Sequence, residues 1–225
     1  MASLNMILDQ NEMVENPTPR VPVSLVLDVS GSMLGAPIEE LNRGVELFFK
    51  SLKDDDVARY SAEVSVISFS NEVTQEVDFG PLEKCDIPEL KAIGKTRMGG
   101  AVSLALESLE KRKELYRTLG VDYYQPWMVI MTDGKPNDDW QLAAAKTSAL
   151  VDKGKLTVFP IAIGDNACTD TLKEFSPARN PLRLKDLNFQ EFFRWLSSSV
   201  SKVSQSIPGE KVELDLKGLE GWASL

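Results

Sequence analysis

The sequence contains no histidine among its 225 residues. This absence excludes Ser-His-Asp and Cys-His nucleophile systems and removes the side chain most often used as a general base near neutral pH. It also excludes almost every zinc site, because two cysteines, Cys85 and Cys168, cannot complete a tetrahedral ligand set alone. Enzymes that use only carboxylates and a metal ion remain compatible with this composition.

Disulfide patterning, long apolar runs and an excess of positive charge are also missing. Two cysteines are too few for a disulfide framework, which favours a reducing compartment. No apolar run approaches eighteen residues, and Asp9, Glu12 and Glu15 lie where a signal peptide would need basic and then apolar residues. The net charge of -9 argues against nucleic acid or an anionic membrane as the main partner. We therefore expect a soluble cytoplasmic protein.

The chain is long enough for one large hydrophobic core, with an extension at each end. Residues 1–20 mix apolar and acidic side chains and end in Pro17-Thr18-Pro19, which predicts an extended N-terminal arm. Residues 21–204 are predicted to form the domain itself. Residues 205–225 predict a C-terminal extension that packs on the domain, with Val212–Leu216 as an added strand and Trp222 as an anchor.

Strand and helix patterns alternate from Val21 onward. Buried strands are predicted near residues 22–28, 64–69, 127–131 and 156–163. A strand near 73–79 is predicted to form a hairpin with the strand near 64–69, and a short edge strand is predicted at 182–184. Helices are predicted to begin near Pro37, Gly99-Gly100, Asn137-Asp138, Thr169 and Phe189. Strands separated by helices imply parallel βαβ units. The predicted fold class is therefore α/β and doubly wound, with a mostly parallel sheet, one antiparallel edge strand and helices on both faces.

Oxygen-bearing side chains follow two of the predicted strands and precede one helix. Asp28, Ser30 and Ser32 follow the first strand, Asp133 follows the strand near 127–131, and Thr96 lies just before Gly99-Gly100. Ligands of open α/β sheets bind outside the carboxyl ends of the strands. Two carboxylates and three hydroxyls are hard donors, which suit Mg²⁺ or Mn²⁺ and suit zinc poorly. The sequence therefore predicts a divalent-cation site with one coordination position open.

Each of these residues also has a purely structural interpretation. The carboxylates of Asp28 and Asp133 could cap helices or pair with a nearby cation, Lys135 or Arg97. Asparagine and aspartate commonly cap helices, and serine is common in turns next to glycine. Only the convergence of all these residues on one edge favours the metal site.

The hydroxyl residues have the same ambiguity, since Ser30 and Ser32 could be turn residues and Thr96 a helix N-cap. Three neighbouring side chains are candidate contacts for a partner. Met33 and Leu34 could form an exposed apolar rim, with core packing as the alternative for Met33, and Trp140 could belong to an interface.

The pattern Asp28-x-Ser30-x-Ser32, together with Thr96 and Thr132-Asp133-Gly134, resembles the metal-ion-dependent adhesion site of von Willebrand factor A domains. The resemblance spans roughly residues 22–204. It implies that the three hydroxyls contact the metal and that Asp28 and Asp133 act largely through water. It also implies that the open position accepts a carboxylate from a partner. One departure lies in Arg97-Met98, which separates Thr96 from the glycine pair.

A narrower resemblance links the chain to bacterial tellurium-resistance proteins of the TerY group. It rests on Val21–Val23, Leu27–Met33, Gly35–Ile38 and the tail from Pro208 to Trp222. This likeness implies a role in tellurite, chemical-stress or phage resistance, with a protein kinase or a PP2C-like phosphatase as partner.

Two function classes follow. The first is a non-enzymatic, metal-dependent module that captures a Glu or Asp of a partner protein. The second is a Mg²⁺-dependent phosphohydrolase that uses strand-end carboxylates. A haloacid-dehalogenase-type enzyme would need a second aspartate where this chain has Ser30, and the sequence has no GxxxxGK[ST] phosphate loop. The binding module is therefore the preferred hypothesis.

Overall fold

A computed structural model describes residues 13, 15–16, 18–165, 167–177, 179–210, 212 and 223–224. The strands are β1 (Val21–Asp28), β2 (Ala62–Phe69), β3 (Val73–Val77), β4 (Trp127–Thr132), β5 (Thr157–Ile163), β6 (Leu182–Leu184) and β7 (Ala223–Ser224). The helices are α1 (Ala36–Asp54), α2 (Ala58–Ser61), α3 (Met98–Leu119), α4 (Gln141–Asp152), α5 (Thr169–Phe175) and α6 (Phe189–Ser204). Single 3₁₀ turns lie at Gly31–Met33 and Leu82–Lys84.

The strands form one sheet in the order β3-β2-β1-β4-β5-β6-β7. Strands β2, β1, β4, β5 and β6 are parallel, and β3 pairs antiparallel with β2 through the predicted hairpin. The predicted doubly wound α/β fold with an antiparallel edge strand is confirmed. One detail differs, because β6 is not the edge: the two-residue strand β7 pairs antiparallel beyond it.

The register of β1 brings two predicted site segments to the same level. Leu27 lies opposite Met131 of β4, so Asp28 and Thr132 follow side by side at the carboxyl ends of their strands. Since the strands are parallel, the loops that leave them emerge on the same edge of the sheet.

Alternating side chains of the sheet supply a core on each face. One core joins the sheet to α1 and α6, and its members include Val23, Leu25, Val129, Phe48 and Phe193. The other joins it to α3, α4 and α5, and its members include Val26, Ile67, Ile130, Val102 and Leu172. The central strands are buried on both sides, as expected for a parallel sheet covered by helices.

The two predicted extensions fall largely outside the described residues. Residues 1–12 of the N-terminal arm, residues 213–216 of the predicted added strand, and Trp222 all lie outside them. Within the described part, Met13 is buried and Val212 packs against the core on the α1 and α6 face. The proposed boundaries at residues 20 and 204 therefore remain predictions. Among the helices the structure describes, none is long and apolar enough to span a bilayer.

Candidate metal centre

Asp28 is the innermost residue of the candidate site. It ends β1 with none of its surface exposed. One carboxylate oxygen accepts a hydrogen bond from the Ser30 amide at 2.8 Å, and the other accepts one from the Thr132 hydroxyl. Burial disfavours the charged form and raises the pKa of Asp28 to about 6, although the hydrogen bonds from Ser30 and Thr132 oppose this shift.

Two serines connect Asp28 to the other carboxylate. The Ser30 and Ser32 hydroxyl oxygens lie 3.1 Å apart within hydrogen-bond distance, and the Ser32 hydroxyl donates to Asp133 Oδ1 at 2.8 Å. Ser30 is buried, Asp133 is half-buried and Ser32 is exposed. Four of the five predicted ligands therefore form one continuous series of hydrogen bonds that runs from the interior to the surface.

Thr96 reaches the same edge on a third segment. Its amide donates to Asn137 Oδ1 at 2.9 Å, and its carbonyl accepts from the Asn137 amide at 2.8 Å. Two residues earlier, the Gly94 carbonyl accepts from the Gly31 amide at 2.9 Å. The segment that carries Thr96 is thus bonded to the loops after both β1 and β4. Thr96 is 7% exposed, and the hydrogen bonds that hold it in the described ranges are made by its main chain.

Ser30 and Ser32 do lie in a turn, because Ser30 precedes the 3₁₀ turn Gly31–Met33 that contains Ser32. The capping alternative for Thr96 and the ion-pair alternatives for Asp28 and Asp133 do not hold. The N-cap of α3 is Arg97 rather than Thr96, and it makes no side-chain capping bond. No ion pair joins Asp28 or Asp133 to Lys135 or Arg97 in the part of the chain the structure describes. The Arg97 guanidinium instead donates to the Asn71 carbonyl at 3.3 Å.

Asn137 and Asp138 were predicted to begin α4, and this prediction is wrong. The helix starts at Gln141. The Asp138 carboxylate instead accepts from the Gly99 and Gly100 amides at 3.1 and 2.8 Å, so it caps α3 from another loop. The sequence did carry a signal for this arrangement. No capping residue stands directly before Gly99-Gly100, so the first amides of α3 required a partner from elsewhere.

The neighbouring apolar residues divide between core and surface. Met33 is fully buried, which supports its alternative interpretation as a core residue, whereas Leu34 is exposed. Trp140 is half-buried, with its ring 5.9 Å from that of Phe175, and packs against the α3–α5 core. Its side chain therefore contributes to packing between elements.

A hard cation fits the residues that the structure brings together. Among the described residues, no group of three or more His, Cys, Asp and Glu side chains is placed to hold a metal. The donor set here is different, because it combines two carboxylates with serine and threonine hydroxyls. The two carboxylates share one hydroxyl network, and no lysine or arginine in the described part of the chain forms an ion pair with either of them. Oxygen donors of this kind match Mg²⁺ or Mn²⁺.

Comparisons with known proteins agree with the geometry. The family model of the von Willebrand factor type A domain matches residues 23–195. An uncharacterised protein of Synechocystis sp. is 29% identical over 161 residues, which cover 68% of this chain and 35% of that protein. The chain thus spans about a third of the length of this curated relative.

Two solved structures are similar in fold. A von Willebrand factor type A protein from Catenulispora acidiphila superposes with a TM-score of 0.60 at 16% identity, over 81% of this chain and 43% of that one. Proximal thread matrix protein 1 from the mussel byssus, with a zinc-occupied adhesion motif, gives a TM-score of 0.55 at 17% identity. That match covers 81% of this chain and 48% of that one. Domains of this family often carry a metal-ion-dependent adhesion site that serves protein interactions, and they are generally not enzymes. The chain belongs to the von Willebrand factor type A domain family.

Proposed function

We propose that this protein is a metal-dependent protein-binding module. Its ligands are Asp28, Ser30, Ser32, Thr96 and Asp133, and its partner is a protein that offers a Glu or Asp. The observation that carries this proposal is the hydrogen-bonded series from Asp28 to Asp133 at the carboxyl edge of the sheet. Its oxygen donors converge without any cation from the described protein residues.

The residues have different roles in this proposal. The hydroxyls of Ser30, Ser32 and Thr96 contact the ion, and Asp28 and Asp133 act largely through water. When bound, the ion supplies a Lewis-acid position for a carboxylate of the partner. This matters because the chain is acidic, with a net charge of -9, and would otherwise repel an acidic partner.

Mg²⁺ or Mn²⁺ is the proposed metal. The mussel protein holds zinc in the corresponding motif. Zinc ranks above manganese in intrinsic affinity for most sites, so zinc in one relative does not identify the physiological ion of another. Hard oxygen donors and the absence of histidine favour the harder ions here.

The finer part of the proposal concerns the biological setting. The segments that resemble the TerY group support a role in tellurite, chemical-stress or phage resistance, with a protein kinase or a PP2C-like phosphatase as partner. The composition, with two unpatterned cysteines, supports a cytoplasmic location.

Calorimetric titration with Mn²⁺ tests the metal site. We expect the double variant Asp28→Ala, Asp133→Ala to lose affinity by about 100-fold or more, the upper range for removal of outer-shell partners. Asp165→Ala is the matched control, because Asp165 is an exposed carboxylate after β5 on the same edge of the sheet. Equal Mn²⁺ affinity in the double variant and the wild type would refute the assignment.

Partner capture tests the function. The partner is identified by co-purification from the native cell, and binding is then repeated with excess chelator and with Ser30→Ala. We expect both treatments to abolish binding. Binding that survives both would show that the site is structural only. A phosphatase assay with p-nitrophenyl phosphate and Mg²⁺ distinguishes the binding module from the enzymatic alternative. A phosphohydrolase would turn over this substrate, and Asp28→Ala would abolish the turnover.

A further inference from the structure

The loop that leads to Thr96 differs in charge from the rest of the chain. The whole chain has 34 acidic and 25 basic residues, yet residues 91–97 include Lys91, Lys95 and Arg97 and no acidic residue. All three side chains are exposed, as is Lys135 on the loop after β4. Across the described ranges, none of these four lies within 4.0 Å of a carboxylate. Four exposed basic side chains that form no ion pair in the described part of the chain therefore lie on the two loops that flank the candidate metal centre.

The same loops also expose two large aliphatic side chains. Leu34 is 72% exposed and Ile93 is 65% exposed. Main-chain hydrogen bonds fix both beside the serines: the Leu34 amide donates to the Gly31 carbonyl at 3.3 Å, and the Ile93 amide donates to the Val29 carbonyl at 2.8 Å. These hydrogen bonds join the two loops that carry Leu34 and Ile93, and a shared apolar patch rimmed by polar residues is typical of interaction surfaces.

We propose that Leu34, Ile93, Lys95 and Lys135 form a recognition rim around the metal. The rim selects a protein segment in which the metal-binding Asp or Glu is flanked by a second acidic residue and by an aliphatic residue. This inference rests on the proposed function of the metal site and specifies its partner. The lysines attract the second acidic residue, and Leu34 and Ile93 cover the aliphatic one.

Charge and apolar contact make separable contributions to such a complex. Complementary charge raises the rate of association and is weakened by salt. Aliphatic contact lowers the rate of dissociation and is insensitive to salt. A free phosphate or a nucleotide would use the lysines but would leave Leu34 and Ile93 exposed, so the rim favours a peptide.

The probe is a fluorescein-labelled peptide, Gly-Ser-Leu-Glu-Asp-Leu-Ser-Gly, whose binding is measured by anisotropy with saturating Mn²⁺. Two comparison peptides replace Glu-Asp by Glu-Asn, or both leucines by serine. Three protein variants are tested, namely Lys95→Glu, Lys135→Glu and the pair Leu34→Ser, Ile93→Ser. Metal saturation is verified separately for each variant.

The controls lie at the opposite edge of the sheet. Lys155→Glu changes an exposed lysine just before β5, and Ile207→Ser changes an isoleucine that is 62% exposed after the end of α6. They match the charge and apolar changes of the rim variants, and we expect neither control to alter binding.

We expect each charge-reversal variant to weaken binding of the Leu-Glu-Asp-Leu peptide by about 10-fold, with little effect on binding of the Glu-Asn peptide. We expect the double variant Leu34→Ser, Ile93→Ser to weaken binding of the same peptide by about 10-fold and to leave binding of the serine peptide unchanged. Binding of the peptide that requires Mn²⁺ but is equal in all rim variants would overturn this inference and leave the proposed function intact. Absence of Mn²⁺-dependent binding to any peptide would count against both.

A second copy of this acidic chain is the competing occupant of the rim. Mn²⁺-dependent dimerisation without peptide, detected by sedimentation velocity and lost in the rim variants, would replace the separate partner and overturn the inference.

Discussion

Asp28 and Glu63 are both buried carboxylates at strand ends, but their neighbours differ in charge. Glu63, which is 3% exposed at the amino-terminal edge of the sheet, pairs with Arg20 at 3.4 Å and with Arg112 at 2.5 Å. Asp28, at the carboxyl-terminal edge, accepts hydrogen bonds from Ser30 and Thr132, and no lysine or arginine of the described residues forms an ion pair with it. A buried charge without a counter-charge is costly. The protein thus neutralises one carboxylate internally and leaves the other dependent on its protonation state or an added ion.

The raised pKa of Asp28 predicts how the stability of the metal-free protein depends on pH. With a pKa of about 6 in the folded state against 3.8 as the ordinary value, the folded state binds more protons between these pH values. The stabilising contribution of Asp28 to the free energy of unfolding is therefore fully present below pH 3.8 and is lost as pH rises through about 6. One pKa unit corresponds to about 1.4 kcal/mol, so the loss amounts to a few kcal/mol.

The measurement is urea unfolding in EDTA at pH 4.5 and pH 7, with Asp28→Asn as the control that cannot titrate. We expect the stability of Asp28→Asn relative to wild type to be higher at pH 7 than at pH 4.5. The same difference at both pH values would show that burial does not shift this carboxyl.

At the scale of elements, the candidate site depends on how two loops hold the start of α3. Asp138 caps the first amides of that helix, and Asn137 exchanges two hydrogen bonds with Thr96. The loop after β4 therefore positions both Asp133 and the segment of Thr96. Because Asp138 caps α3 from this loop, the stability of the helix and the geometry of the candidate site depend on the same loop.

Replacing Asp138 by Ala should lower the free energy of unfolding by about 1–2 kcal/mol, because two amides of α3 lose their acceptor. Mn²⁺ affinity should also fall, since the segment that carries Thr96 is held by the same loop. Asp139→Ala is the matched control, because Asp139 is exposed and its side chain makes no hydrogen bond in the described part of the chain. Chemical denaturation and Mn²⁺ titration of both variants make the comparison. Equal stability of the two variants would contradict the capping role.

Gly99 and Gly100 provide a second matched pair on α3. A Cβ at Gly99 would lie 2.6 Å from Trp140 Cα and 2.7 Å from the Asp139 carbonyl, whereas one at Gly100 would meet only the Val73 side chain at 3.3 Å and Asp138 at 3.5 Å. Backbone atoms cannot move aside as a side chain can. Gly99→Ala should therefore cost about 1–3 kcal/mol of stability, and Gly100→Ala much less. Thermal melting compares the two variants. Similar losses of stability would show that the loop after β4 can move away from the start of α3.

At the scale of the whole molecule, two hydrophobic cores stabilise the fold independently of the metal. Strands β1, β2 and β4 are buried on both faces, and every predicted ligand lies above them, at the ends of strands or on loops. Burial of apolar surface is the dominant favourable term in folding. The ion should then act as a ligand of a folded protein rather than as part of its core.

Removal of the metal with EDTA should therefore leave the circular dichroism spectrum unchanged at room temperature. The melting temperature should fall modestly, because an ion at 100 times its Kd adds only about 2.7 kcal/mol. A thermal melt with Mn²⁺, with EDTA, and with EDTA on Asp28→Ala measures the effect. Unfolding on chelation at room temperature would contradict this expectation.

Much of the architecture could be predicted from the sequence because local pattern and fold agree. Apolar runs predicted the central strands, the adjacent runs near 64–69 and 73–79 predicted the hairpin, and Gly99-Gly100 predicted the start of α3. The same reasoning placed Asp28, Ser30, Ser32 and Asp133 at one edge, since parallel strands end together. Their assignment as metal ligands remains a prediction, although their proximity is observed.

The sequence by itself determined the fold class, the edge of the sheet that carries the oxygen donors, and the exclusion of histidine chemistry, because these depend on residue type and order along single segments. Only the tertiary structure decided which groups satisfy one another across segments. Asp138 caps α3 rather than its own helix, Asn137 holds Thr96, Met33 enters the core, and Leu34 and Ile93 stay exposed beside the serines. Such pairings join loops distant in sequence, and their geometry is set by how helices pack on a twisted sheet, which no local pattern records.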